Sequence, residues 1–445
     1  MSIYKACDIR GRFGTEIMPE HASALGHALA VILPQGSAVL VGGDGRRSTP
    51  ELQAGLMTAM AQGGLRVLDL GTLPTPAFYF ARGRLGVMPG VMVTASHNPP
   101  DDNGFKVVLG EMPLTEAGMG LLRQAMESGA TNARPGGSVT AAEVISGYVE
   151  ARAAMEPPCR PIRVVVDAGN GVMGAPAVAA LRAIGHRVDA LFPEVDADFP
   201  GRGPNPGMPG ALEPLSRAVI TDGADLGIAF DGDGDRAAFV DERGTPLTPD
   251  QTVAILAADA LTAHPGALIV YDQKCSRLVP DEIRRCGGEP VAQRSGYAFI
   301  RTALIKLQAP YAGELSGHHF FREIQGDDGL LAGARMARLV AANGPLSAMV
   351  AHLPTYATGP ELRVPVASAG DAQEVLDRLA EHLAADYRVS RADGVRAEAE
   401  HGWGLVRMSV TEPMLTARFE GHTRDDLHRV QADFAEAWTG LRSYL

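Results

Sequence analysis

The chain is poor in lysine. Of 40 basic residues only Lys5, Lys106, Lys274 and Lys306 are lysine. Arginine serves wherever a fixed positive charge suffices. A retained lysine then marks either a chance survivor of arginine-rich usage or a place needing a compact ammonium that can lose a proton. Aromatic residues make up 5% of the 445, too few to build stacking platforms for single-stranded nucleic acid. Cysteines stand only at Cys7, Cys159, Cys275 and Cys286. None forms a Cys-x-x-Cys pair, which argues against zinc and thioredoxin-like sites and for reduced thiols. Long apolar runs are missing too. Ala22 to Leu33 is apolar but is broken by His27 and falls short of the ~20 residues that span a bilayer. The N-terminus carries no signal-peptide pattern, so the cytoplasm is the expected compartment. Positive charge is in deficit: the formal net charge is −12. Neither nucleic acid nor a membrane is an expected partner. An anionic substrate remains compatible if arginines gather locally.

What is present is a globular composition, 46% hydrophobic and 21% charged, long enough for two to four domains. One unit recurs three times. Val39 to Asp44, helix Pro50 to Gln62, Gly63-Gly64 and strand Leu65 to Leu70 form the first copy. Val164 to Asp167, helix Ala175 to Ile184, Gly185 and strand His186 to Leu191 form the second. Leu268 to Asp272, helix Val279 to Cys286, Gly287-Gly288 and strand Glu289 to Ala292 form the third. Strand, turn, helix, glycine, strand is the sequence form of a βαβ unit. Apolar strands without alternation fit parallel sheets buried on both faces. After Pro354 the repeat stops. Strands at 362–366, 404–410 and 414–419 and helices at 371–387 and 424–441 predict a smaller α+β domain. A further helix is predicted from near Thr140. The expected architecture is three similar α/β domains, with mixed, mostly parallel sheets, and a C-terminal α+β domain. Their expected bounds are 1–139, 140–246, 247–356 and 357–445.

Four segments carry chemistry. Asp231-Gly232-Asp233-Gly234-Asp235-Arg236 alternates carboxylates with glycines between two strand-like runs. Three carboxylates on one tight turn repel unless a cation lies among them, and an all-oxygen set selects Mg²⁺, Mn²⁺ or Ca²⁺ over zinc. An EF-hand loop matches in part, with Glu242 at its twelfth position. Arg236 sits where that loop needs glycine, and the flanks are strands. Ser96, in Thr94-Ala95-Ser96-His97-Asn98-Pro99-Pro100, follows an apolar strand at a double-proline turn. A Ser-His hydrolase pair is disfavoured because adjacent residues seldom face each other and the Gly-x-Ser-x-Gly elbow is absent. A serine carrying phosphate against the aspartate-bound cation fits better. Lys106 follows ten residues on and is a candidate proton-transfer group. Gly313 to His319 presents Glu314, Ser316 and His318, a carboxylate beside a hydroxyl suited to vicinal sugar hydroxyls. Arg407, Ser409, Thr411 and Arg418 surround a strand-to-strand turn and can cradle phosphate.

Taken together and in this order, the four segments resemble the α-D-phosphohexomutase family, in its bacterial phosphomannomutase/phosphoglucomutase branch. Asp8-Ile9-Arg10-Gly11, Asp167 to Gly171, Lys274 to Arg277 and Gly326-Asp327-Asp328-Gly329 extend the similarity over the whole chain. The resemblance implies four domains around a central cleft, each giving one loop. It implies a phosphoserine at Ser96 and Mg²⁺ held by Asp231, Asp233, Asp235 and the Ser96 phosphate. It places Arg10 and Lys106 beside the phosphoserine, with Lys106 as general acid/base, and His318 at the reacting end. Arg236 and Lys274 would line the sugar site, and Glu314 and Ser316 would hold its hydroxyls. Arg407, Ser409, Thr411 and Arg418 would hold the phosphate not in transit.

The implied reaction interconverts hexose 6-phosphate and hexose 1-phosphate through a hexose 1,6-bisphosphate, which also serves as activator. Hexose phosphates would be the small-molecule partners, and a monomer or weak dimer is expected. Leu315, near-isosteric with the methionine usual in this branch, favours mannose and glucose over glucosamine. A phosphoglucosamine mutase or a catalytically weak sugar-phosphate-binding homologue is the alternative. Three residues depart from the pattern: Cys7 for a tyrosine, Tyr297 for a histidine, and Val410 for a polar or glycine residue.

Overall fold

The computed structural model describes residues 3–131, 133–408 and 414–445. The three βαβ units each seed a sheet. In the first, strands Ala38–Gly43 and Arg66–Thr72 pair in parallel, and Gly90–Val93 joins Ala38–Gly43 in parallel. Asp102–Val108 and Ile9–Arg12 extend it antiparallel. Ser138–Ala141 closes the far edge, parallel to Arg66–Thr72. Thr140 is therefore strand, and the helix expected there starts later, at Ile145–Ala154. The free edge of Arg66–Thr72 supplies ladder partners that local propensity cannot foresee.

The second sheet pairs Arg163–Asp167 in parallel with Arg187–Leu191 and Leu226–Phe230, with Ala237–Val240 antiparallel at its edge. In the third, Leu268–Asp272 lies parallel to Glu289–Gln293 and Tyr311–Gly313, and His319–Phe321 and Gly326–Asp327 follow antiparallel. All three are mixed sheets with a parallel centre, as the apolar strands predict. In each, the polar turn that matters leaves the C-terminal end of a central strand, where α/β sheets bind ligands.

The last domain is α+β. Every strand pair in its sheet is antiparallel, from Ala357–Thr358 and Leu362–Pro365 through Met414–Gly421 and Gly402–Met408 to Val395–Ala399 and Arg388–Ser390. Helices Ala369–Leu383 and Arg424–Ala437 cover one face. Strands 388–390 and 395–399 have no counterpart in the sequence reading, and the helix expected to reach 387 ends at Leu383.

The apolar cores follow the same division. One continuous cluster runs through the first three domains, through Phe78, Tyr148, Phe230 and Phe321. The fourth domain packs its own core, including Leu379, Phe419 and Phe434. It meets the third domain through polar contacts. Among the described residues no helix is long and apolar enough to cross a membrane.

Candidate active site

Ser96 leaves the end of strand Gly90–Val93 with φ +54°, a left-handed value unusual for a side-chain-bearing residue. Its backbone is held by two devices. Thr94 Oγ accepts from Ser96 N at 2.8 Å and donates to Asp44 at 2.7 Å. The Arg46 guanidinium, fully buried, donates to the carbonyls of Ser96, Asn98, Pro99 and Asp102. Its charge is met by Asp44, 3.1 Å from Nε. Strain of this kind persists only where surrounding bonds over-determine it. The Ser96 hydroxyl then donates across the domain boundary to Asp231 at 2.8 Å. His97 Nδ1 also lies 3.3 Å from it. The expectation that His97 faces away is thus corrected, because the left-handed turn folds the two neighbours together.

The aspartate turn is packed against this serine. A Cβ on Gly232 would stand 2.6 Å from the Ser96 carbonyl, so only glycine allows the approach. Asp231, Asp233 and Asp235 are all buried, and one oxygen from each lies within 4.8 Å of the others. Asp233 accepts from Thr75 Oγ and Lys106 Nζ, both at 2.7 Å. Lys106 also bonds Asp235. Asp233 Oδ1 and Asp235 Oδ1 are buried and accept no hydrogen bond among the described residues, though Asp235 Oδ1 lies 3.7 Å from His318 Nδ1. Buried carboxylate oxygens without hydrogen-bond donors, on three aspartates this close together, are what a hard divalent cation would satisfy, so this donor set fits such an ion.

Charge is arranged accordingly. Burial, with Asp235 and Asp233 adding to it, raises the Asp231 carboxyl to about 7. Burial also pushes Asp233 up, but the Lys106 ammonium outweighs it and holds Asp233 well below the ordinary range. Lys106 itself loses by burial and gains more from Asp233 and Asp235, so its pKa rises. In the metal-free protein it is a fixed ammonium, able to donate a proton but not to accept one. Arg10 lies on the other side of the serine turn, donating to the Ala95 carbonyl at 3.1 Å and Asn98 at 3.3 Å. Asp8 stands 2.7 Å from its Nε.

The second and third domains meet at Arg236 and His318. The two form an antiparallel backbone bridge, and Ala237 N donates to the Gly317 carbonyl at 3.1 Å. Arg236 Nε donates to His318 Nε2 at 3.0 Å, and His318 Nδ1 lies 2.8 Å from Asp327. The ring is pulled two ways. Burial lowers its pKa, and Asp235 and Asp327 more than restore it. A guanidinium bonded to Nε2 leaves no place for a second proton there, so we take the ring as neutral, with its proton on Nδ1 facing Asp327. Glu314 Oε2 and Ser316 Oγ, in the same tight turn, are buried without partners.

Lys274 sits after strand Leu268–Asp272, its ammonium 3.8 Å from Asp272. Arg407 lies 3.0 Å from Asp393, and Arg418 donates to Asp250 of the third domain at 2.8 Å. Among the described residues no hydrogen bond or ion pair joins these two arginines to the Ser96 group. Ser409, Thr411 and Val410 lie outside the described residues.

Two departures from the family pattern touch each other: the Tyr297 hydroxyl donates to the Cys7 carbonyl at 3.1 Å. The Tyr297 ring also faces Lys106 Nζ at 5.8 Å. Arg46, His97, Asp272 and Asp327 belong to this neighbourhood, and sequence reasoning gave none of them a role. Asp327 had a signal, the Gly-Asp-Asp-Gly motif. Arg46 had only its place two residues after a strand-ending aspartate.

Comparison with known proteins agrees with this geometry. Four domain families described as phosphoglucomutase/phosphomannomutase match in order: α/β/α domain I at residues 1–132, II at 146–244, III at 248–356 and the C-terminal domain at 361–437. A phosphoglucomutase of Neisseria gonorrhoeae is 38% identical over 439 residues, 97% of this chain and 95% of that protein. A phosphomannomutase/phosphoglucomutase of Pseudomonas aeruginosa PAO1 is 38% identical over 451 residues, 100% and 97% of the two chains. The crystal structure of a phosphoglucomutase/phosphomannomutase family protein from Burkholderia thailandensis superposes with TM-score 0.90 at 35% identity, covering 99% of this chain and 97% of that one. An Aspergillus fumigatus N-acetylphosphoglucosamine mutase, in complex with GlcNAc-6P and magnesium, shares the fold at 14% identity and TM-score 0.60, over 98% and 95% of the two chains. With matched domains running almost end to end and relatives this similar over their full length, the chain belongs to the phosphoglucomutase/phosphomannomutase family of hexose-phosphate mutases.

Proposed function

We propose that the chain interconverts hexose 6-phosphate and hexose 1-phosphate, of glucose and mannose, through a phosphate carried on Ser96. The observation that carries this reading is the 2.8 Å bond from the Ser96 hydroxyl to Asp231 across the domain boundary. It sets a serine oxygen against a three-carboxylate turn with unpaired oxygens. Asp231, Asp233 and Asp235 would hold Mg²⁺, which when bound draws charge from a phosphoryl group in transfer.

The protein's own residues supply the rest. A free hydroxyl of the sugar phosphate attacks the phosphorus of phosphoserine, and the bond from phosphorus to Ser96 Oγ breaks. The hydroxyl proton leaves to a base, and Ser96 Oγ regains one. His318 Nε2, its tautomer set by Asp327, is the candidate acceptor once substrate draws Arg236 away. Lys106, protonated at rest, is the candidate donor to Ser96 Oγ, and the neutral amine it leaves takes that proton back in the reverse step, so it serves as acid and then as base. The product is a hexose 1,6-bisphosphate. It turns end for end, and Ser96 takes the other phosphate by the reverse step. Glu314 and Ser316 bring unpaired polar atoms to hydroxyls near the ring's pivot, and Arg236 and Lys274 line the sugar. Arg407 and Arg418, with Ser409 and Thr411, hold the resting phosphate by charge-assisted bonds.

The test is turnover of mannose 1-phosphate and glucose 1-phosphate with Mg²⁺ and a hexose 1,6-bisphosphate activator. Ser96→Ala abolishes isomerisation and keeps sugar-phosphate binding. Isomerisation by Ser96→Ala at the parent rate would overturn the reading, and net phosphate release would make the protein a phosphatase.

A further inference from the structure

The third domain gives the proposed sugar site three loops that are distant in sequence. Lys274 follows strand Leu268–Asp272, Ser295-Gly296-Tyr297 follows strand Glu289–Gln293, and Glu314 to His318 follows strand Tyr311–Gly313. One side chain ties them together. Asp272 ends the central strand and is fully buried. Its Oδ1 accepts from Lys274 N at 2.9 Å and from Ser295 Oγ at 2.6 Å. Its Oδ2 accepts from Leu315 N at 3.3 Å, and the Lys274 ammonium lies 3.8 Å away.

Lys274 is the cation within ion-pair reach of Asp272 among the described residues. Its ammonium is partly open, with the side chain 20% exposed. A carboxylate suits the junction because both oxygens accept and neither donates; an amide would turn an N–H toward one of the donors. Among the described residues the Asp272 side chain bonds neither Ser96, nor the aspartate turn, nor Lys106.

We propose that Asp272 is a positioning residue for the sugar. It fixes the spacing between Lys274 and the Glu314–Ser316 turn, and so governs how tightly hexose phosphate is held without governing phosphoryl transfer. The proposal rests on the hexose-phosphate reading above.

The experiment is steady-state kinetics of Asp272→Asn against parent, with glucose 1-phosphate and with mannose 1-phosphate, beside the extent of Ser96 phosphorylation. A purely structural aspartate would lower the active fraction and with it kcat. It would leave KM alone, because KM does not depend on how much enzyme is folded. A positioning role raises KM about tenfold or more for both sugars, with kcat within about threefold of parent and Ser96 phosphorylation by glucose 1,6-bisphosphate intact. Unchanged KM with reduced kcat overturns the proposal. Should Asp272→Asn not fold, Ser295→Ala removes a single donor and decides the matter: KM raised about threefold supports it, and KM equal to parent overturns it. A parent protein that turns over neither sugar would overturn the mutase reading and this proposal with it; unchanged KM in an active background overturns this proposal alone.

Discussion

Two charged regions serve the proposed cleft, and they are neutralised in opposite ways. Between the first and second domains, three buried carboxylates are met by two cations: the Lys106 ammonium, from a neighbouring strand, pairs with Asp233 and Asp235, and the Arg236 guanidinium lies 3.6 Å from Asp231. In the fourth domain and at its border, Arg407 and Arg418 are met by carboxylates, Asp393 and Asp250. The acidic region is sealed: the Lys106 side chain is 3% exposed and the aspartates no more than 1%. The basic region is somewhat less buried, with arginine side chains at 15% and 17% exposed. Burial decides what each pairing is worth. In the sealed region, removing one partner strands an uncompensated charge. At the border, where each side chain keeps some contact with solvent, the same change should cost less. On the proposed reading each region holds its counter-charge within the protein, an ammonium on the acidic turn and carboxylates on the arginines.

Breaking the contrast at its source should have the largest effect. Ser96→Ala removes the atom that gives the acidic region its task, and turnover of glucose 1-phosphate should fall by about four orders of magnitude or more in a coupled assay. Lys106→Gln comes next. It removes the ammonium that pairs with Asp233 and Asp235 and should cost about 3 kcal/mol of metal-free stability in denaturant titration. Mg²⁺ should recover part of that stability, while turnover stays down by about a hundredfold or more.

The pH dependence is smaller and sharpens the same point. Asp231, raised to about 7, is protonated below that pH and must lose its proton before a cation can bind. Mg²⁺ affinity measured by calorimetry should therefore climb from pH 6 to pH 7 and level off above pH 8, with proton release on binding at the lower pH. A flat profile would mean that the site is already ionised. On the basic side, Asp393→Asn removes a competitor for Arg407 and should lower KM for glucose 1-phosphate by about threefold. A raised KM would show that Asp393 orients Arg407 instead of occupying it. Smallest is Tyr297→Phe, which deletes the hydroxyl bonded to the Cys7 carbonyl but keeps the ring over Lys106. It should cost about 1 kcal/mol in denaturant titration.

The same contrast explains what could be read in the sequence. The serine and aspartate turns are contiguous strings whose residues act together, and their glycines and proline pair give the local geometry away. The three βαβ repeats were equally plain, because each strand, helix and glycine lies in one short window. Counter-ions were not legible. Arg46 looks like one of two surface arginines after a turn, yet it is buried and holds four carbonyls of the serine loop. Asp250 looks like an acidic residue in the first turn of a helix, yet it meets an arginine 168 residues away. Where a helix is expected from near Thr140, strand Ser138–Ala141 forms instead, because its partners lie in strand Arg66–Thr72. Strand Val395–Ala399 gives a weak signal because its apolar positions are one valine and two alanines, and alanine has little strand preference; its Arg396 stacks on Trp403, 3.8 Å from the ring centre. Periodicity cannot distinguish such a buried, stacked arginine from a solvent-facing one.

The central claim is that Ser96 carries the phosphate beside a carboxylate-held cation. Intact-mass and peptide mass spectrometry, after incubation with glucose 1,6-bisphosphate and Mg²⁺ and again after a chase with mannose 1-phosphate, tests it directly. The account predicts a single phosphate, located on Ser96 and lost to the added sugar. Full turnover by a protein that never carries phosphate at Ser96 would contradict it.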